Sequence, residues 1–134
     1  MTDITDFDDK QVFISLLKRM VKDFVEERNW GKYHNSKDIA ISIALEAAEL
    51  MELFQWKGQQ EVLDMLKNQE KLVRVKEELA DIMILCLNMA NVLDVDVSQA
   101  IAEKIDKNKA KYPVELVKGN YRKYTELKKQ SRAR

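Results

Sequence analysis

Residues 69–93 read QEKLVRVKEELADIMILCLNMANVL. The stretch holds no Gly or Pro, is rich in Leu, Lys, Glu and Met, and is long enough for seven helical turns. It predicts one long helix, from about Gln69 to Leu93. From Ile82 onward it is apolar nearly all round, interrupted mainly by Asn88 and Asn91. Such a helix belongs in a shared core. Just before the apolar run stands an acidic pair, Glu78-Leu-Ala-Asp81, and a second pair, Glu46-Ala-Ala-Glu49, lies upstream in another apolar stretch. Residues three apart are about 60° apart around a helix, so each pair projects two carboxylates from one face. Two such helices packed together bring four oxygen donors to one cavity, a set suited to a hard cation such as Mg²⁺ or Mn²⁺.

The rest of the chain supports an all-α reading. Three glycines and one proline in 134 residues leave little turn chemistry. A first helix is expected from about Asp8 to Arg28, with Phe13, Leu16, Leu17, Met20, Phe24 and Val25 as its apolar face, ending near Asn29-Trp30-Gly31. A polar, aromatic loop from Trp30 to Lys37 follows. Asn35 or Ser36 caps a second helix from about Lys37 to Trp56, closed by Lys57-Gly58. A short helix spans about Gln60 to Lys67. Asp96 with Gln99 three residues on resembles a capping box for a last helix to about Lys111, stopped by Pro113. Residues 1–113 form one domain and 114–134 a basic tail, read as solvated and partly disordered.

The second helix is apolar on two sides, with Ile43, Ala47, Leu50 and Phe54 on one and Ile41, Leu45 and Ala48 on another. A chain this short cannot cover both, so the expected fold is a helical bundle completed by homo-oligomerisation, at least a homodimer. Lys+Arg and Asp+Glu number 23 each, which gives no global field for nucleic acid or anionic membrane. No apolar run reaches membrane-spanning length, and the acidic N-terminus lacks the order of a signal peptide. The single Cys86 forms no internal disulfide and reads as a buried structural thiol among Ile82, Met83, Leu85 and Leu87. A reducing cytoplasm is the natural compartment.

The acidic pairs have a bland alternative: structural ion pairs with Lys and Arg. Glu26-Glu27 and Glu52 fit a solvated face, whereas Glu46 and Glu49 border Ile43, Leu50 and Leu53. A di-iron carboxylate centre needs Glu-x-x-His motifs, and the only histidine, His34, stands outside one. One His and one Cys far apart do not make a zinc site either. Trp30, Tyr33 and His34 crowd one loop, and Trp56 follows Glu49 by seven residues, two turns along nearly the same face. Aromatics beside carboxylates suit a stacked nucleobase whose phosphates a metal grips. Lys104, Asn108 and Lys111, at spacings of four and three, form a polar strip fit for phosphate oxygens or for ordinary helix surface.

Taken together, Phe24 to Trp30 and His34, Glu46 to Glu49, Leu53 to Trp56, Glu77 to Asp81, Lys104 to Asn108, Lys111 to Pro113 and Arg122 to Leu127 resemble the MazG-like, all-α nucleoside triphosphate pyrophosphohydrolases. Within them the chain looks most like the dCTP pyrophosphatase branch. The resemblance implies that Glu46, Glu49, Glu78 and Asp81 coordinate Mg²⁺, that Trp30, Tyr33, His34 and Trp56 surround the base, and that Lys104 and Asn108 hold phosphates. It implies hydrolysis of the α–β phosphoanhydride to a monophosphate and pyrophosphate, with Glu49 a candidate to orient or deprotonate the water, in a homodimer or homotetramer. Leu85 stands where the branch has a tyrosine and Val21 where it has a histidine. Base and sugar preference is therefore expected to be broader or shifted, toward deoxy-pyrimidine or deoxyadenosine triphosphates. Two alternatives are a non-catalytic helical interaction protein and the same fold acting on dUTP or phosphoribosyl-ATP.

Overall fold

The computed structural model describes residues 4–119 together with 125 and 126. The described residues are helical, with no strand among them. The helices are α1 (Ile14–Glu27), α2 (Ser36–Glu52), α3 (Gln59–Leu66), α4 (Gln69–Leu93), α5 (Val97–Lys111) and α6 (Val114–Val117). The chain divides into two compact units, residues 1–95 and 96–134, and each is described by itself.

In the first unit α4 is the centre, packed against α1, α2 and α3. Its bounds are those predicted from the sequence. Asn68 caps its start by accepting from the Lys71 N–H at 3.1 Å. Asp94 ends it in the left-handed region at φ 52°, while the Val95 and Asp94 N–H groups return to the carbonyls of Ala90 and Asn91. This is the Schellman arrangement, which Asp tolerates better than most residues. Asn91 then donates to the Lys18 carbonyl at 2.8 Å and ties α4 to α1. Val21 and Val25 of α1, Ile39 of α2, Met65 of α3, and Leu87 and Ala90 of α4 form the buried apolar core.

Three expectations need correction. The first helix begins at Ile14, not Asp8, because the Asp8 carboxylate accepts from the N–H groups of Lys10 and Gln11, both at 2.9 Å, and holds a turn instead. The second helix ends at Glu52 rather than Trp56: its last carbonyls accept tightened three-residue bonds, and Trp56 sits at φ 67°, outside any helix. Cys86 is exposed, not buried, since α1 and α2 cover the side of α4 that carries Leu87, Asn88 and Ala90. The same geometry limits the apolar face of α1: Val21 and Val25 are buried, while Phe13, Met20 and Phe24 remain exposed.

In the second unit Asp96 caps α5 by accepting from the Gln99 N–H at 2.9 Å. The cap is one-sided, for the Gln99 side chain donates to Glu103 instead. Tyr112 and Pro113 end α5, and the short α6 follows. The basic tail expected over 114–134 opens with this α6, and its residues 120–124 and 127–134 lie outside the described residues.

Candidate metal and nucleotide site

Asn35 fixes the entry of α2. Its Oδ1 accepts from the Asp38 N–H at 2.9 Å and its Nδ2 donates to the Asp38 carboxylate, so the cap is doubly tied. From this start α2 carries Ser42, Glu46 and Glu49 along the side facing α4. Ser42 shares a small cavity with Leu85, and Glu49 shares a larger one with Glu78 and Arg74. As α2 advances α4 recedes, so the two helices run antiparallel and the acidic pairs meet.

They meet closely. One carboxylate oxygen each from Glu46, Glu49 and Glu78 lies within 4.8 Å of the other two. Glu46 Oε2 and Glu78 Oε2 are buried and have no hydrogen-bond partner among the described residues. An unpartnered buried oxygen carries a desolvation cost that native structures seldom leave unmet. The ion pairs among the described residues, Lys22–Glu26, Arg28–Glu27, Lys67–Asp64 and Lys109–Asp106, do not touch the cluster. Among the described residues, then, no lysine or arginine forms a direct ion pair with the cluster, whereas a hard divalent cation uses such oxygens directly.

The electrostatics point the same way. Burial holds the Glu46 carboxyl above the ordinary carboxylate range, and the closeness of the Glu49 carboxylate adds to it, followed by the charges of Asp81 and Glu78. Glu78 is raised by burial, then by Glu49 and Asp81, with Arg74 pulling in the opposite direction. Asp81 therefore belongs to the field of the cluster, although it is outside the three-carboxylate group.

Beside the cluster opens a cavity of about 550 Å³, within the range of small-ligand sites. Glu49, Glu52 and Glu78 line it together with Lys57, Lys71 and Arg74, over Leu53 and Met65. The three cations were not singled out from the sequence. Arg74 and Lys71 precede Glu78 by four and seven residues, so the same-face rule run backwards from Glu78 finds both. Lys57 comes from the turn after α2 and carries no such signal.

The aromatic loop is set by the end of α1. Asn29 takes φ 51°, its N–H and that of Trp30 return to Glu26 and Val25, and Trp30 is thereby turned onto Phe24 with ring centroids 5.7 Å apart, edge to face. Arg28 covers the other part of Phe24, 3.8 Å from the ring centroid. His34 lies 6.1 Å from Trp30 and shares a cavity of about 50 Å³ with Tyr33, Asp38, Ile39, Ser42 and Leu85. Ser42 is one turn before Glu46 and Leu85 one turn after Asp81, so this cavity lies about 6 Å along the helices from the carboxylates.

Trp56 is not brought to that group. It leaves the end of α2 in a turn and is 93 % exposed, so the same-face argument from Glu49 fails. Lys104, Asn108 and Lys111 do lie on one face of α5, in the second unit, with Lys111 also over the Tyr112 ring.

Known proteins resemble this chain in sequence and in fold. The MazG-like family model matches residues 41–127, from before the first acidic pair to beyond α6. The chain is 34 % identical to dCTP pyrophosphatase 1 of Mus musculus and 35 % to that of Bos taurus, each over 111 residues and 83 % of this chain. It spans only 65 % and 66 % of the length of those relatives. A crystal structure of a pyrophosphatase from Archaeoglobus fulgidus superposes with a TM-score of 0.70 at 33 % identity, covering 81 % of this chain and 99 % of that one. With two antiparallel acidic helices, a family match across about two thirds of its residues and this structural likeness, the chain belongs to the MazG-like family.

Proposed function

We propose that the chain is a nucleoside triphosphate pyrophosphohydrolase dependent on Mg²⁺ or Mn²⁺, cleaving the α–β phosphoanhydride of dCTP or related deoxynucleotides to the monophosphate and pyrophosphate. The observation that carries this is the Glu46, Glu49 and Glu78 cluster, with two orphaned oxygens, at the edge of a cavity that also holds Lys57, Lys71 and Arg74. The relatives named dCTP pyrophosphatase supply the substrate class.

In this proposal Glu46, Glu49, Glu78 and Asp81 hold the metal. A divalent ion so held supplies charge neutralisation of the phosphates and makes water a better nucleophile at neutral pH. Glu49, at the boundary between cluster and cavity, orients the attacking water and takes its proton. Lys57, Lys71 and Arg74 bind the departing pyrophosphate oxygens, where negative charge accumulates. Trp30, Tyr33 and His34 receive the base, while Trp56, next to Lys57 in the turn after α2, is offered to the nucleotide at its phosphate end. Lys104, Asn108 and Lys111 form a polar strip on α5 suited to phosphate oxygens.

A second copy of the chain belongs to the proposal, as a homodimer or homotetramer. Ile41 and Leu45 on α2 and Met83 and Ile84 on α4 are exposed, and an apolar groove between α1 and α4 adds Leu17, Met20 and Phe24. Surface of this kind is costly on a lone chain. Nucleotide-pool clean-up in the cytoplasm is the role this chemistry fits. Among the described residues no helix is long and apolar enough to cross a membrane.

The test is pyrophosphate release from a panel of canonical and modified NTPs and dNTPs, with Mg²⁺, with Mn²⁺ and with EDTA. Metal-dependent release from a subset that includes dCTP is expected. Silence of the folded chain across the panel would discard the enzyme reading in favour of a helical interaction protein.

A further inference from the structure

Asn88 is 5 % exposed, a buried polar residue in the mostly apolar second half of α4. A buried side-chain amide needs partners, and this one finds His34 across the loop, with Asn88 Nδ2 at 2.9 Å from His34 Nδ1. An amide nitrogen only donates, so this contact calls for Nδ1 as the acceptor and for the ring proton on Nε2. We infer that Asn88 is a positioning residue that holds His34 in its Nε2–H form, so that the ring offers one N–H donor to an acceptor atom of the substrate base. This rests on the nucleotide reading of the site.

The placement gives the donor its use. His34 stands beside Trp30, 6.1 Å between ring centroids, at a cavity one helical turn from the carboxylates. Stacking on an aromatic face accepts every base and selects none. An N–H of fixed position does select, because it pairs with a carbonyl oxygen or bare ring nitrogen and opposes an amino group. Without Asn88 the two neutral tautomers of His34 interchange, and the edge presented to the base alternates between donor and acceptor. Asn88 acts only through His34, which separates its role from that of the carboxylates.

His34 is the only histidine in the chain, so long-range ¹⁵N–¹H spectra of the intact protein report its tautomer without assignment. The unaltered chain is expected to show Nε2–H, and Asn88→Asp, whose carboxylate only accepts, to transfer the proton to Nδ1. Asn88→Asp should also raise KM for dCTP about tenfold with kcat little changed, and compress the discrimination among bases. If Asn88→Asp fails to fold, the spectrum of the unaltered chain still decides the tautomer, and dCTP titrated into it must shift the Nε2 signal. An Nδ1–H spectrum, or a switched tautomer with unchanged KM and base ranking, would overturn the inference and leave the pyrophosphohydrolase reading standing. No turnover by the unaltered chain on any nucleotide would overturn that reading instead, and with it the substrate role given to His34.

Discussion

Three carboxylate oxygens within 4.8 Å of one another are electrostatically unfavourable unless protons or a cation share them. Glu46 and Glu78 answer by holding protons above the ordinary carboxylate range. The sign of the stability effect follows. A carboxyl raised in the folded chain binds protons more tightly there than when unfolded, so its contribution is present below the unfolded value and is lost as pH rises through the folded one. In EDTA, thermal stability should therefore fall as pH climbs from the ordinary carboxylate range through the raised values. Mg²⁺ or Mn²⁺ should reverse the trend by about 2.7 kcal/mol at a hundredfold excess over Kd. Scanning calorimetry against pH, with and without metal, checks this; a metal-free Tm that rises over that window would contradict the cluster. Glu49→Gln separates chemistry from stability. It removes one of the repelling charges, so the metal-free Tm should hold or rise, while turnover drops about 100-fold or more. Full turnover by Glu49→Gln in Mg²⁺ would remove Glu49 from its assigned role.

At the scale of the element, helix ends place the site, and they were legible to different degrees. The cap was readable as Asn35 or Ser36 and is Asn35, and Asn35→Ala should cost about 1 kcal/mol in urea unfolding, the entry of α2 being held by its two bonds to Asp38. A change within experimental error would mean that packing on α4 alone fixes α2. The end of α2 was not readable, because Leu53, Phe54 and Trp56 continue an apolar helical spacing that the backbone does not follow. Trp56 instead takes φ 67°, a region where a bulky side chain is strained, while leaving its ring 93 % exposed. Strain held at a ring that packs on little points to a purpose outside the fold. Trp56→Gly should stabilise the chain by up to about 1 kcal/mol and raise KM for the nucleotide severalfold. Loss of stability with KM unchanged would make Trp56 a structural residue. The start of α1 was missed for a related reason: Asp8 reads as a helix opener, yet its side chain holds the backbone in a turn.

For the molecule as a whole, the pattern of α4 announced its central position, and the apolar excess of α2 is seen in Ile41 and Leu45, which stay exposed. Cys86 was misread because burial was assigned to the whole run Ile82 to Leu93, when one chain supplies neighbours for only one side of it. Periodicity reports which residues seek cover; it does not report which cover comes from the same chain. Lys71 and Arg74 were missed by the complementary error, since cations on an exposed helix face look alike until packing puts some of them beside carboxylates, and Lys57 stands in a turn that no periodicity covers. The exposed apolar residues then carry the last prediction. Met83 is 53 % exposed and lines the groove between α1 and α4, so in a lone chain Met83→Glu would cost little. If a second copy covers that groove, the new charge is desolvated in the assembly, which should dissociate to a smaller species by sedimentation equilibrium. The unaltered protein should also show a Tm that rises with protein concentration, because association stabilises only the folded chain. A Met83→Glu protein of unchanged mass would place the subunit contact elsewhere, on the Ile41 and Leu45 side of α2, where Leu45→Glu applies the same test.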